Sequence, residues 1–166
     1  MPQGVLMLKL LTTFLLLIQA MTEPLKPPEI WATPIPDFDS QHSWDYYLPA
    51  TEYGAGHRGI DLFVSPGQEL RAPFDAVVSF SGKVVDRNLI TLRSLTGYKA
   101  SFEVVCTDLT EGDWVSEGQV FGQACKGDTG YHEHCQNCVH FSVRSPYGYL
   151  NPLLFVGKLK PSQLVS

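Results

Sequence analysis

Three side chains in this sequence are of types that bind a divalent metal and stand where folding could bring them together: His57, Asp61 and His140. The first two lie in Gly56-His57-Arg58-Gly59-Ile60-Asp61-Leu62, four residues apart. Even spacing places both on one face of an extended chain, and Gly59 between them allows close backbone approach or a kink. His140 lies in Cys138-Val139-His140-Phe141-Ser142-Val143-Arg144, which alternates as a strand does. Cys138, His140 and Ser142 share one face of it and Val139, Phe141 and Val143 the other, so the apolar face packs inward while the polar face opens onto a cleft. Two imidazoles and a carboxylate are standard zinc donors, and three protein ligands leave a fourth position open, as in catalytic rather than structural sites. Zinc so held lowers the pKa of bound water to about 7 and polarises a carbonyl, so the implied chemistry is amide hydrolysis. Either segment alone is commonplace; only together do they carry weight.

The elements that must position these residues read as strands. From Tyr53 onward, short apolar alternations are separated by turns. The expected strands are Ile60–Phe63, Glu69–Ala72, Asp75–Ser81, Leu89–Ser94, Ala100–Cys106, Val120–Ala124, Cys138–Arg144 and Tyr149–Leu150. Turn residues stand between them, among them Pro66-Gly67, Gly82, Thr96-Gly97, Glu111-Gly112-Asp113 and Glu117-Gly118. No segment sustains a 3.6-residue period, so an all-β domain with very little helix is expected. Ser65-Pro66-Gly67-Gln68-Glu69-Leu70 is echoed by Ser116-Glu117-Gly118-Gln119-Val120-Phe121, each placing a Gly turn ahead of a strand.

The chain has 166 residues, 14 of them Gly and 12 Pro, with 44% hydrophobic and 17% charged residues, which suits one β-rich domain with extensions. Net charge is −5 with no Lys/Arg cluster in the sequence, against nucleic-acid binding. Residues 1–20 read as a signal peptide, with Lys9 before the apolar run Leu10–Ile18 and cleavage after Ala20; an uncleaved anchor is the alternative. No Cys follows the run to carry a lipid, so the protein is expected to be secreted or in the cell envelope, off the membrane once the signal is cut. Residues 21–52 form an arm rich in Pro and aromatics, too apolar for a free linker and expected to pack on the domain of residues 53–157; residues 158–166 are a tail. Four cysteines in an exported chain suggest two disulfides, with three pairings possible; Cys106 with Cys125 and Cys135 with Cys138 is preferred.

From Tyr53 to Leu154 the chain resembles the lysostaphin/LytM-like zinc metallopeptidases, which cut peptides of bacterial peptidoglycan. Three stretches carry the resemblance. Residues 56–62 match the family's H-x-G-x-D-L segment, Gly112-Asp113-Trp114-Val115-Ser116-Glu117-Gly118-Gln119-Val120-Phe121-Gly122 its G-D-x-V-x-x-G-Q-x-I-G segment, and Cys138-Val139-His140-Phe141 its H-x-H-F segment. The resemblance implies a lysostaphin-like antiparallel fold related to the duplicated hybrid motif, zinc on His57, Asp61 and His140, and peptidoglycan peptides as the partner. Two departures stand out. Cys138 replaces the first His of H-x-H, an acid/base in the family, and Glu103 replaces a further family His. The chain is most similar to a variant subgroup with Cys at the first of these positions. Losing a general acid/base removes about 10²–10⁴-fold in rate. Glu103 and Cys138 are therefore the candidate catalytic residues, and a degenerate relative that binds wall or regulates another hydrolase is the alternative to an endopeptidase. Cys138 has two other readings, an inert disulfide with Cys135 or a fourth zinc ligand. His132 or His134 could fill the acid/base role, Ser142 and Arg144 could touch substrate, and Tyr46, Tyr47 or Glu52 of the arm could occupy the open zinc position.

Overall fold

Alternation along the strands separates one apolar sheet face from one polar face, and this decides the architecture. The structure is a computed structural model that describes residues 29–40, 42–43, 46–51, 54–125 and 137–159. The signal segment, Glu52, His132, His134 and Cys135 lie outside the described residues. Eleven strands are described: β1 (His42–Ser43), β2 (Gly59–Phe63), β3 (Glu69–Arg71), β4 (Ala76–Val84), β5 (Arg87–Ser94), β6 (Lys99–Glu103), β7 (Val105–Cys106), β8 (Trp114–Val115), β9 (Val120–Ala124), β10 (Cys138–Ser145) and β11 (Gly148–Leu150). One short helix, α1 (Pro152–Phe155), follows, capped by Asn151, whose side chain accepts from the Leu153 N–H. The fold is all-β and antiparallel, as the sequence implies.

The large sheet runs β1-β2-β10-β6-β5-β4-β8, with β11 added to β10; the small sheet runs β3-β9-β7. The inner face of the large sheet buries Ile60, Leu62, Ile90, Leu92, Phe102, Val139, Phe141 and Val143 completely. Phe102 stacks on Phe141 within this layer and meets Phe121 of the small sheet, with ring centroids 4.8 Å apart in both pairs. Trp31, Ile35 and Phe38 of the arm pack into the same core. Trp31 is buried against Phe74 and Phe155, at 4.2 and 4.3 Å, and donates its backbone N–H to Phe155.

The echoed segments fold alike. In each turn the Ser N–H donates to the Gln side chain, Ser65 to Gln68 at 2.9 Å and Ser116 to Gln119 at 3.0 Å. Gly67 and Gly118 take positive φ, 82° and 76°, which only Gly adopts without strain. Each glycine N–H donates across the small sheet to the end of the other copy's strand, Gly67 to Ala124 and Gly118 to Ala72. The echo is thus a reciprocal pair of turn-and-strand units, whose strands β3 and β9 pair with each other, not a pair of hairpins.

The expected single strand Ala100–Cys106 is two. Val104, with φ of 68°, breaks it and passes the chain from the large sheet to the small one. A β-branched residue with positive φ is rare, so the sequence carries no signal for the break. The disulfide Cys106–Cys125 then ties β7 to the end of β9.

Candidate metal centre

Register builds the centre. β2 pairs with β10 so that Asp61 stands opposite His140 and Gly59 opposite Ser142. His57 precedes β2 and is held by the arm: its N–H donates to Tyr47 O at 2.8 Å and its carbonyl accepts from Tyr47 N at 3.0 Å. Both glycines of the first motif have a steric role. A Cβ on Gly56 would lie 2.6 Å from Pro49 of the arm. A Cβ on Gly59 would overlap the Phe141 carbonyl oxygen and lie 2.6 Å from His140 Nε2. Gly59 is therefore the floor on which the His140 ring rests, and this is the physical reason for a glycine between the two expected ligands.

His57 Nε2, Asp61 Oδ1 and His140 Nδ1 converge on one another. Nitrogen to nitrogen is 3.2 Å, His140 to Asp61 is 2.9 Å and His57 to Asp61 is 3.5 Å. Donors bonded at ~2.0–2.1 Å to a tetrahedral zinc stand ~3.3 Å from one another, so the triangle has nearly the size a zinc ion requires. The three form the one group of this kind among the described residues. Asp61 is 4% exposed, and its second oxygen, Oδ2, is buried with no hydrogen-bond partner. A buried carboxylate oxygen without a partner is costly, and a cation beside it would relieve that cost. Burial pushes the Asp61 carboxyl up, but the hydrogen bond and charge of His140, joined by His57, outweigh it and leave the group below its ordinary value. The carboxylate is thus ionised and ready to ligate at neutral pH. Donor set, triangle and unpartnered oxygen all fit zinc.

The flanking positions differ. Glu103 stands directly opposite His140 on β6 and so shares its face. Its carboxylate accepts from Arg87 Nη1 at 2.6 Å. Nothing in the sequence marks Arg87, because the contact depends on the register that sets Leu89 of β5 against Glu103. Cys138 is buried and disulfide-bonded, with its partner outside the described residues. A disulfide sulfur carries no proton and is no thiolate ligand. The catalytic role expected of Cys138 therefore does not hold in this oxidised state, nor does a fourth-ligand role.

Ser142 lies buried on the His140 face, between Gly59 and Ser101. Arg144 is exposed at the far end of β10, its guanidinium 5.9 Å from the Tyr149 ring centroid, and Arg58 approaches the same ring at 5.9 Å. Of the arm residues expected near the open position, Tyr46 donates its hydroxyl to Tyr149 O at 2.8 Å, and the Tyr47 ring centroid is 6.4 Å from that of His57.

An antiparallel β domain holding a cluster of two histidines and an aspartate is the combination that the resemblance noted in the sequence implies. Residues 55–152, more than half of the chain, match the model described as peptidase family M23, and the chain belongs to that family. It is similar to an uncharacterized protein of Mycobacterium tuberculosis and its counterpart in Mycobacterium bovis, each 30% identical over 136 residues that cover 78% of this chain and 49% of the relative. The chain thus spans about half the length of the curated relatives it matches. Among solved structures, the catalytic domain of lysostaphin from Staphylococcus simulans superposes with a TM-score of 0.60 at 21% identity, over 72% of this chain and 93% of that one. The SpoIIQ–SpoIIIAH pore-forming complex gives 0.63 at 23%, over 78% and 92%. Both show the same fold.

Proposed function

We propose that the protein is a zinc-dependent endopeptidase acting on peptides of the bacterial cell wall, with His57, Asp61 and His140 as the metal ligands. The observation that carries this is the convergence of the three donor atoms beside a buried, unpartnered Asp61 oxygen. The chemistry a zinc ion supplies there is polarisation of a peptide carbonyl and activation of water. The protein's own residues position and exclude. Asp61 holds both imidazoles through one oxygen, Gly59 seats the His140 ring, and Tyr47 fixes the His57 backbone. In this reading Glu103 moves a proton to or from the reacting peptide, supported by its register opposite His140, and Arg87 is its positioning residue. The wall as substrate rests on the family resemblance carried by residues 56–62, 112–122 and 138–141, and a peptidase activity is supported by lysostaphin, described as an antimicrobial peptidase.

A second reading, a relative that grips wall peptides without cutting them, draws support from the disulfide at Cys138 and the ion pair at Glu103. Wall digestion separates the two. Zinc-loaded protein incubated with purified peptidoglycan is expected to release soluble fragments with new amino termini, and His140→Ala protein to release none. Zinc-loaded protein that pellets with wall yet releases nothing would establish the second reading in place of the first.

A further inference from the structure

Four residues along β10 from His140, the same sheet face carries a row of positive charge. Arg144 pairs directly with Lys99 of β6, and Lys99 with Arg93 of β5. Tyr149 of β11 extends the row at one end, with Arg144 stacked over its ring at 5.9 Å. Like charges directly opposite on neighbouring strands weaken a sheet, so three in a row call for a reason. None of the three enters an ion pair among the described residues, where the Lys and Arg side chains in salt bridges are Arg71, Arg87 and Lys158. General basicity does not explain the row either, since the chain carries −5. Clefts adjoin it, one of about 790 Å³ lined by Pro49, Arg58, Arg144 and Tyr149 and one of about 530 Å³ lined by Lys99, Arg144 and Tyr147.

We propose that Arg144, Lys99 and Arg93 form a second binding site, for the carboxylates of an acidic peptide lying extended across the sheet face that holds the metal cluster. Four residues of strand span ~13 Å, so a peptide held at the cluster reaches the row with a side chain or terminus about four residues away. The row thus selects acidic substrates and fixes the direction in which they lie. This deepens the reading of the centre as peptide-cleaving and rests on it. Carboxylate is favoured over phosphate because the row shares its face with a peptide site. The exposed Leu95 and Tyr147 at neighbouring turns make an anionic membrane the rival occupant.

The test is binding of hexaglutamate and hexaglutamine peptides, blocked at both ends, at low and high salt. Hexaglutamate is expected to bind the wild-type protein at least tenfold more tightly than hexaglutamine, and salt to erase the difference. Lys99→Gln/Arg144→Gln is expected to lose that preference while melting at the same temperature or higher, since repulsion has been removed. The single Arg93→Gln variant is expected to lose part of it. Lys83→Gln/Lys158→Gln, with the same net charge, is expected to keep it. His57→Ala protein should also keep it, so failure of the metal site and failure of the row are read separately. Equal binding of the two peptides, or an unchanged preference in the row variants, overturns the proposal. So does tighter binding of inorganic triphosphate than of hexaglutamate, or of phosphatidylglycerol vesicles in a manner lost with Leu95→Ser/Tyr147→Ser.

Discussion

The triangle around Asp61 and the positions flanking it lie on one sheet face, yet they are held in opposite ways. In the triangle three donor atoms point at one another, and a buried carboxylate oxygen is left without a partner. At the flanks the groups are already engaged, Glu103 by Arg87 and Cys138 by a disulfide. In the proposed reading, holding a metal and moving a proton are therefore separate capacities of this face. The first is set by β2, β10 and the arm; the second depends on what the neighbouring strands supply.

The comparison is most sharply tested by removing the metal. Chelation of zinc-loaded protein is expected to lower its stability by about 4 kcal/mol when free zinc had stood a thousandfold above its dissociation constant. That corresponds to a melting temperature lower by on the order of 10 °C. The same treatment of His57→Ala protein should change little. The second test addresses the flank. Glu103→Gln is expected to keep its zinc and to cut wall at least ~100-fold more slowly; an unchanged rate would mean that Arg87 holds Glu103 purely for structure. The third returns to the triangle. Gly59→Ala drives a methyl into the space of the His140 ring and the Phe141 carbonyl, and is expected to weaken zinc binding by roughly 10-fold, as disturbed support of a ligand typically does. The smallest effect is in acid. Asp61 has a lowered folded pKa, so in metal-free protein it stabilises the fold above the unfolded value of ~3.9, and that contribution disappears as pH falls through the lower folded value. Asp61→Asn is expected to flatten this acid limb of the stability curve.

Much of this was legible in the sequence, and the reasons are specific. Residues 138–144 alternate, so the face of His140 was readable. The Ser-x-Gly-Gln echo is local, so its two turns were readable as well. Trp114–Val115 is too short for alternation to reveal, and its strand exists through pairing with Val77 and Ala76. Val104 carries no mark of its positive φ, and β1 forms only because the arm meets the free edge of β2. At the centre the donor types and their order could be read, but not the seat Gly59 makes for His140, the Arg87–Glu103 pair, or the row made by Arg93, Lys99 and Arg144. Each of these depends on register between strands distant in the chain.

The most direct test of the centre is zinc content by metal analysis, on purified protein refolded with zinc present, beside the His57→Ala/His140→Ala variant. One zinc per chain, lost in the variant, is the expected result. A wild-type chain without zinc, or a variant that retains it, would contradict the assignment of His57, Asp61 and His140 as the metal site.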